Sequence, residues 1–271
     1  MKNYLKGFLV MALLSTVLVV SARHKVSIKE EAVTYTSNGV TLKSFVYYDE
    51  NKKGKRPAIV VVPEWWGNNE YAKSRAHKLA ELGYIAIATD FYGEDKIAAD
   101  PKEAQELATP FYKDAQLGES RIIAAVNKLK EFKQTDVNKI AAIGYCFGGS
   151  MVLNAATLGT PELKGVVSFH GGLAAVPPAS AGSVKSKILV CHGDADKFVP
   201  PADVTKFKSN LDSLNVPYTF IAYPNATHAF TNPQSTATGK KFSMPIEYNE
   251  AADKKSWNDM KVFFKKLFKT A

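Results

Sequence analysis

The strongest constraint on the fold is a regular alternation of short apolar runs and helical segments that begins near residue 58. The apolar runs are nearly continuous rather than alternating with polar residues, which is typical of strands buried on both faces. Each run is followed by a segment with the spacing of an amphipathic helix. This order predicts an α/β domain with a mainly parallel central sheet and helices on both faces.

Two further strands precede the alternation, joined by Asn38-Gly39, a strong hairpin turn signal. Nothing resembling an interdomain linker or a repeat interrupts the pattern, so residues 23–271 are expected to form a single domain. Strands are predicted at residues 32–35, 40–48, 58–62, 84–89, 139–145, 165–169, 188–191 and 218–222. Helices are predicted at residues 70–82, 101–112, 119–132, 147–158, 202–214 and 248–269.

The first 22 residues have the pattern of a secretory signal peptide. Lys2 and Lys6 form a basic start, residues 7–20 are almost wholly apolar, and Val20-Ser21-Ala22 offers small residues for cleavage. The alternative is a membrane anchor, but the apolar run is short of the roughly 20 residues that span a bilayer. We expect a periplasmic or secreted protein that begins at Arg23 and has no membrane association after cleavage.

Composition narrows the classes of partner. The chain carries 35 Lys and Arg against 26 Asp and Glu, a net charge of +9. The basic residues are scattered and form no stripe interleaved with aromatic residues, so we expect a solvated surface and no nucleic-acid partner. Two cysteines are too few for a disulfide framework. No metal or organic cofactor is indicated, and a monomer is expected.

The segment around Cys146 carries the clearest chemical signal. A strand, a Gly-x-nucleophile-x-Gly turn and a helix form a nucleophile elbow, and here the residue at the tip is cysteine instead of the usual serine. Gly144, Gly148 and Gly149 provide the room that a strained tip residue needs. The alternative is a buried structural cysteine, which the flanking glycines disfavour.

An acid and a histidine follow Cys146 in the chain, each after a predicted strand. Nucleophile, acid and histidine in this order are typical of α/β-hydrolases. His228 lies in a polar turn after the last strand and is the best candidate for the general base. The acid is Asp196 or Asp194. We favour Asp196 because it stands where the chain turns into the next helix, which leaves Asp194 as a loop-capping residue.

Glu64 follows the strand at residues 58–62 and precedes two tryptophans. It is either a surface acid or a carboxylate in an apolar pocket, where its pKa is raised and it can exchange a proton with a neighbour. The N–H of Trp65 is well placed for an oxyanion hole, together with the N–H of Phe147 directly after the nucleophile. An aromatic substrate pocket is predicted from Trp66, Phe91, Tyr92 and Phe230 as well as Trp65.

Across residues 23–271 the chain resembles the dienelactone hydrolase family. The segments that carry the resemblance are Pro63-Glu64-Trp65-Trp66-Gly67, Ala88-Thr89-Asp90-Phe91-Tyr92, Gly144-Tyr145-Cys146-Phe147-Gly148-Gly149, Gly193-Asp194-Ala195-Asp196-Lys197-Phe198-Val199-Pro200, Tyr223-Pro224-Asn225-Ala226-Thr227-His228-Ala229-Phe230 and Tyr248-Asn249-Glu250-Ala251-Ala252. The resemblance implies an α/β-hydrolase fold and a triad of Cys146, His228 and Asp196. It also implies that Glu64 contacts the thiol and helps to form thiolate when substrate arrives.

The chain departs from family members that cleave dienelactone. Those carry two arginines that grip the substrate carboxylate, and neither corresponding stretch has one here. Glu94 and Asp95 are expected to repel a carboxylate instead. The sequence thus predicts a cysteine-dependent hydrolase of small esters, lactones or thioesters. The alternatives are a binding protein with a vestigial site and a redox thiol protein that uses Cys146 and Cys191.

Overall fold

The computed structural model describes residues 25–269, so the predicted signal peptide, residues 1–22, lies outside the described part of the chain. The eight strands form one sheet in the order β1-β2-β4-β3-β5-β6-β7-β8. The strands are β1 Ile28–Ser37, β2 Val40–Asp49, β3 Arg56–Val62, β4 Ile85–Ala88, β5 Thr135–Tyr145, β6 Gly165–Phe169, β7 Lys187–Gly193 and β8 Tyr218–Tyr223. The helices are α1 Glu70–Glu81, α2 Pro101–Lys113, α3 Ala115–Lys130, α4 Phe147–Leu158, α5 Pro201–Ser213, α6 Ser235–Phe242 and α7 Glu250–Lys269.

The predicted fold class is confirmed. Strands β3 to β8 run parallel to their neighbours, whereas the β1–β2 hairpin adds antiparallel strands at one edge, where β2 pairs with β4. The hairpin turns at Asn38-Gly39, and both residues have positive φ. Strands β4 and β6 are buried along their whole length, and β3 is buried except at Pro57, which explains their continuous apolar sequence.

Apolar side chains pack on both faces of the sheet. On one face Ile122 of α3 and Val152 of α4 pack in a cluster with Val60 and Val166. On the other face Leu79 of α1 and Phe264 of α7 pack in a second cluster with Val61. The alternation of strand side chains between the two clusters follows from the two-residue period of a strand. The sheet is therefore the middle layer of three.

Most predicted elements shift at their ends by a few residues, and one helix is absent from the prediction. β5 begins at Thr135 rather than at residue 139, because Thr135 itself pairs with Arg56 of β3, before an irregularity in the register after which Ile140 pairs with Ala58. Helix α6 was not predicted, since its sequence Ser-Thr-Ala-Thr-Gly-Lys-Lys-Phe has little apolar periodicity. This short helix still matters for the site, because Phe242 at its end stacks against Trp66 with ring centroids 5.9 Å apart.

Within residues 25–269, no helix combines the length and the apolar character that crossing a bilayer requires.

Candidate active site

The carboxyl ends of the parallel strands bring together residues that are far apart in sequence. Glu64 follows β3, Cys146 follows β5, Asp196 lies in the turn after β7 and His228 follows β8. Glu64, Cys146 and His228 line a common cavity of about 390 Å³. This edge of the sheet is where ligands bind in open α/β folds.

Cys146 is at the tip of a sharp turn between β5 and α4, with φ 53° and ψ −115°. A residue with a side chain rarely adopts a positive φ, and such strain is concentrated at functional sites. The glycines around it are required by close backbone approach. A Cβ at Gly144 would collide with the carbonyl of Gly148, and one at Gly148 would collide with that of Val62. The turn thus holds a half-buried thiol at the cavity floor.

His228 is buried and its Nδ1 lies 2.7 Å from Oδ2 of Asp196. Asp194 is exposed, so the structure brings Asp196 and not Asp194 to the imidazole. Burial alone would lower the pKa of His228. The negative charge of Cys146 and the hydrogen bonds to Asp196 and Cys146 outweigh it and raise that pKa well above its usual value. The protonated form of the imidazole is therefore favoured.

The other histidines are placed differently. His77 is half-exposed on α1, 3.6 Å from Glu81. His192 packs against Phe220, and burial lowers its pKa. His24 lies outside the described residues. His170 is fully buried beneath the site and is considered below.

The two N–H groups predicted for the oxyanion hole come from neighbouring segments. The Phe147 N–H opens α4, and the next amide, Gly148 N–H, donates to the carbonyl of Pro63 at 3.0 Å. That bond ties the elbow to the segment that contains Trp65. The Trp65 carbonyl accepts a hydrogen bond from the Tyr92 hydroxyl at 3.0 Å. Within residues 25–269, neither the Trp65 nor the Phe147 amide donates to another element or to a side chain.

Glu64 is only 3% exposed, although its side chain lines the cavity. Burial raises its pKa to about 7, against the opposing effects of a hydrogen bond from Asn232 and of the charges of His228 and Arg75. The Asn232 amide donates to Oε2 at 2.7 Å. Its own oxygen accepts from the Gln234 N–H, and this fixes which end of the amide faces Glu64. The carboxyl group thus changes its protonation state near neutral pH.

His170 contacts the backbone of Cys146 from below. Its Nδ1 lies 3.0 Å from the Cys146 N–H, which also donates to the Phe169 carbonyl. Its Nε2 lies 2.7 Å from the hydroxyl of Thr231, three residues after the proposed base. Burial lowers the pKa of His170 well below its usual value, so the ring is neutral. His170 therefore links the elbow to the loop that carries His228.

Of the five aromatic residues predicted for the substrate pocket, two line the cavity and three do not. Trp65 and Trp66 line the cavity. Phe91 and Phe230 are fully buried behind it, where Phe91 packs on Phe147 and Phe230 packs on His170. Tyr92 is 8% exposed and supports the Trp65 carbonyl instead. Strand-end position placed these rings near the site, but it could not show which way they point.

The remaining wall is formed by residues that the sequence did not single out. Most are apolar, and several come from loops with no recognisable motif. They are Gln105, Tyr112, Gly172, Leu173, Ala174, Ala175, Phe198, Ala229, Met244 and Ile246. Glu94 and Asp95, expected to repel a carboxylate, are exposed and do not line this cavity, and Glu94 pairs with Lys43 at 2.6 Å.

Both cysteines are free. Cys191 is fully buried in β7, its sulfur accepts a hydrogen bond from the Tyr223 hydroxyl, and burial raises its pKa to about 12. A thiol of this kind is inert. Among residues 25–269, no group of three or more His, Cys, Asp or Glu side chains is arranged to hold a metal ion.

Comparison with known proteins agrees with this geometry. The model of the dienelactone hydrolase family matches residues 42–268. A crystal structure of a dienelactone hydrolase-like promiscuous phosphotriesterase from metagenomic libraries is 32% identical, with a TM-score of 0.81 over 89% of this chain and 98% of that one. A putative carboxymethylenebutenolidase of Aquifex aeolicus is 27% identical over 74% of this chain and 87% of its own. One from Escherichia coli is 25% identical over 84% of each. The chain therefore belongs to the dienelactone hydrolase family and is a carboxylic ester hydrolase.

Proposed function

We propose that the protein cleaves esters, lactones or thioesters by covalent catalysis, with Cys146 as the nucleophile. The observation that carries the proposal is the array at the strand ends, in which Asp196 bonds His228 and His228 lines the same cavity as Cys146, which lies at a strained elbow. A nucleophile, a base and a group that orients the base are the parts that acyl transfer needs.

In the first half-reaction the sulfur of Cys146 forms a bond to the carbonyl carbon, and His228 takes the thiol proton. The amides of Trp65 and Phe147 stabilise the oxyanion, because neither donates to another element within the described residues and both remain available as donors. His228 then protonates the leaving oxygen as its bond to carbon breaks. The product is a thioester with the enzyme, and the alcohol departs.

In the second half-reaction His228 takes a proton from water while the water oxygen attacks the thioester. The carbon–sulfur bond breaks and the proton returns to Cys146. Asp196 holds the imidazole in one orientation throughout. Amides are expected to be poor substrates, because the amine leaves less readily than the thiolate.

Glu64 has a separate part in the proposal. Its carboxyl lies at the same cavity and titrates near pH 7. When ionised, it is a second acceptor for the thiol proton and promotes thiolate formation as substrate binds. When protonated, it leaves Cys146 in the less reactive thiol form, and this protects the sulfur from oxidation.

The test is turnover of short 4-nitrophenyl esters by the purified protein, beside Cys146→Ala and His228→Ala. We expect turnover in the native chain and a loss of at least about 1,000-fold in both variants. Native activity in Cys146→Ala would remove the cysteine mechanism. No turnover on a broad panel of esters and lactones would favour a binding protein with a vestigial site.

A second candidate substrate class is the neutral phosphotriester. The structural relative at 32% identity is described as a promiscuous phosphotriesterase. The cavity of this chain is lined mainly by apolar and aromatic residues and has no lysine or arginine in its wall, which suits a neutral triester. Release of 4-nitrophenol from a dialkyl 4-nitrophenyl phosphate, lost in Cys146→Ala, is the expected result. Release that persists in that variant would exclude this route.

We also propose that the chain is exported after cleavage behind Ala22 and that it acts as a monomer. The support for export is the basic start and the apolar run in the first 22 residues. N-terminal sequencing of the protein from the periplasm or medium is expected to begin at Arg23, and size exclusion is expected to give one chain. An uncleaved protein confined to the cytosol would contradict the first expectation, and a stable dimer would contradict the second.

A further inference from the structure

The charge of the cavity wall bears on the substrate. Its ionisable groups are Glu64, Tyr112, Cys146 and His228, and the rest of its lining side chains are apolar or, in the case of Gln105, a neutral amide. No lysine or arginine is among them. The wall therefore offers one acid near the reacting sulfur and no permanent cation.

A buried guanidinium, that of Arg75, acts on Glu64 but adds no cation to the cavity wall. Arg75 is 3% exposed and lies outside the cavity wall. It bonds the Thr231 carbonyl and lies 2.8 Å from a carboxylate oxygen of Asp253, and its charge lies over the ring of Tyr71. Arg75 is thus already paired and cannot reach a bound ligand without breaking a buried ion pair.

Among the described residues that line the cavity, His228 is the one side chain that can carry a positive charge. It is hydrogen-bonded to Asp196, so a carboxylate already pairs with it. Ionised Glu64 adds a second negative group at the same wall. A substrate carboxylate here would lose its water and meet no unpaired cation, which is costly.

Size restricts the substrate further. The volume of about 390 Å³ is near the lower end of the roughly 300–1,000 Å³ found for small-molecule pockets. Indole and aliphatic side chains, among them Trp65, Trp66, Leu173 and Ile246, form much of the surface that a ligand would touch. Such a surface binds apolar groups by removing them from water.

We infer that this site selects small, neutral, apolar carboxylic esters or lactones and discriminates against those that carry a carboxylate. The inference rests on the proposed hydrolase function and adds the substrate class. It implies that hydrolysis forms a new carboxylate in a cavity whose wall carries no permanent cation. The carboxylate product should therefore dissociate readily.

The first test compares two substrates that differ by one charge: 4-nitrophenyl methyl adipate and mono-4-nitrophenyl adipate. We expect kcat/KM of the native protein to be at least about 100-fold higher for the methyl ester, because the charged ligand would be buried unpaired. A ratio within about threefold of one, or one that favours the acid, would overturn the inference.

The second test does not depend on turnover. Iodoacetamide and iodoacetate have nearly the same size and differ in charge, and each alkylates a thiol. For each reagent, the alkylation rate constant of Cys146 is measured by mass spectrometry of the peptide that contains it. We expect the ratio of the iodoacetamide rate constant to the iodoacetate rate constant to be much higher for Cys146 than for free cysteine. Equal relative rates would overturn the inference. If neither adipate is cleaved while this preference is observed, the hydrolase function fails and the charge selectivity stands.

A gain-of-function variant completes the test. Gln105 lies at the exposed rim of the cavity. Gln105→Arg adds one cation there, and Gln105→Met is a matched control of similar length. We expect the ratio of kcat/KM for the methyl ester to kcat/KM for the acid to be at least about tenfold smaller in Gln105→Arg than in Gln105→Met. An unchanged ratio, with both variants folded, would count against a role for the missing cation.

Discussion

The carboxyl group of Glu64 is buried, and its ionisation is expected to affect both the activity and the free energy of unfolding. A carboxyl group that is 3% exposed and bonded by Asn232 is not a surface acid, which was the alternative left open by the sequence. Its position between a strand end and two tryptophans could be predicted. Its partner could not, because Asn232 lies 168 residues away and belongs to no motif that the sequence reveals.

The pH dependence of activity follows from this titration. Burial raises the pKa of Glu64 to about 7, so the proton acceptor is formed as the pH rises through that value. We expect kcat/KM of the native protein to rise between about pH 6 and 8 and this step to be absent in Glu64→Gln. A pH profile of the variant that keeps the step would assign it to another group.

The same group should reduce stability at alkaline pH. The pKa of Glu64 is about 7 in the folded protein and 4.5 in the unfolded chain. The contribution of Glu64 to the free energy of unfolding is therefore most favourable below pH 4.5 and is lost as the pH rises through 7. Glu64→Gln is therefore expected to be more stable than the native protein by about 3 kcal/mol at pH 8, at 1.36 kcal/mol per unit. Chemical unfolding at pH 5 and 8 measures this, and an equal difference at both pH values would contradict it.

His170 is a positioning residue beneath Cys146. His170→Leu removes both of its hydrogen bonds, to the Cys146 N–H and to Thr231, while His170→Asn keeps an acceptor near Nδ1. We expect the leucine variant to lose about 10- to 100-fold in kcat with little change in KM, and the asparagine variant to recover much of the loss. Equal kcat values in the two variants, with only thermal stability changed, would indicate a purely structural role.

At the scale of elements, the elbow between β5 and α4 is specified locally. Its glycines, its strand and its helix could all be predicted, because steric demands at the turn leave a recognisable sequence. The orientation of aromatic rings after β4 and β8 could not. Phe91 and Phe230 follow strand ends as Trp66 does, but packing against Phe147 and His170 turns them into the core.

The steric demand at Gly144 can be tested directly. Gly144→Ala places a methyl group against the carbonyl of Gly148, where backbone must move. We expect a loss of at least about 3 kcal/mol in the free energy of unfolding, together with loss of activity. Gly54→Ala is the control. A methyl group at position 54 would meet no neighbouring atom, so only the positive φ of this residue should lower the free energy of unfolding, by about 1–2 kcal/mol. Equal effects of the two substitutions would show that the elbow is not tightly packed.

Helix α6 could not be predicted from its own sequence. Its residues lack a clear apolar face, and the helix was missed. It is nevertheless held by tertiary contact, since Phe242 stacks on Trp66, and Met244 just beyond it lines the cavity. Packing supplies most of the stability of a short helix, so local sequence is a weak guide to it.

For the whole molecule, the parallel direction of the strands explains why the site residues could be predicted from the sequence. Parallel strands end at one edge, so any residue that follows a strand in a chain of this class is a candidate for the site. Cys146, Asp196, His228 and Glu64 were chosen on that ground and are brought to one edge of the sheet. The apolar wall was not predicted, because loops such as residues 173–175 reach the cavity only through the complete fold.

The central claim is that acyl groups pass through Cys146. The most direct measurement is rapid-quench mass spectrometry of the protein mixed with 4-nitrophenyl butyrate. We predict a butyryl group on the peptide that contains Cys146, formed within one turnover, lost as substrate is consumed and absent from Cys146→Ala. Hydrolysis at the native rate with Cys146 unmodified throughout, or with alanine in its place, would contradict the account.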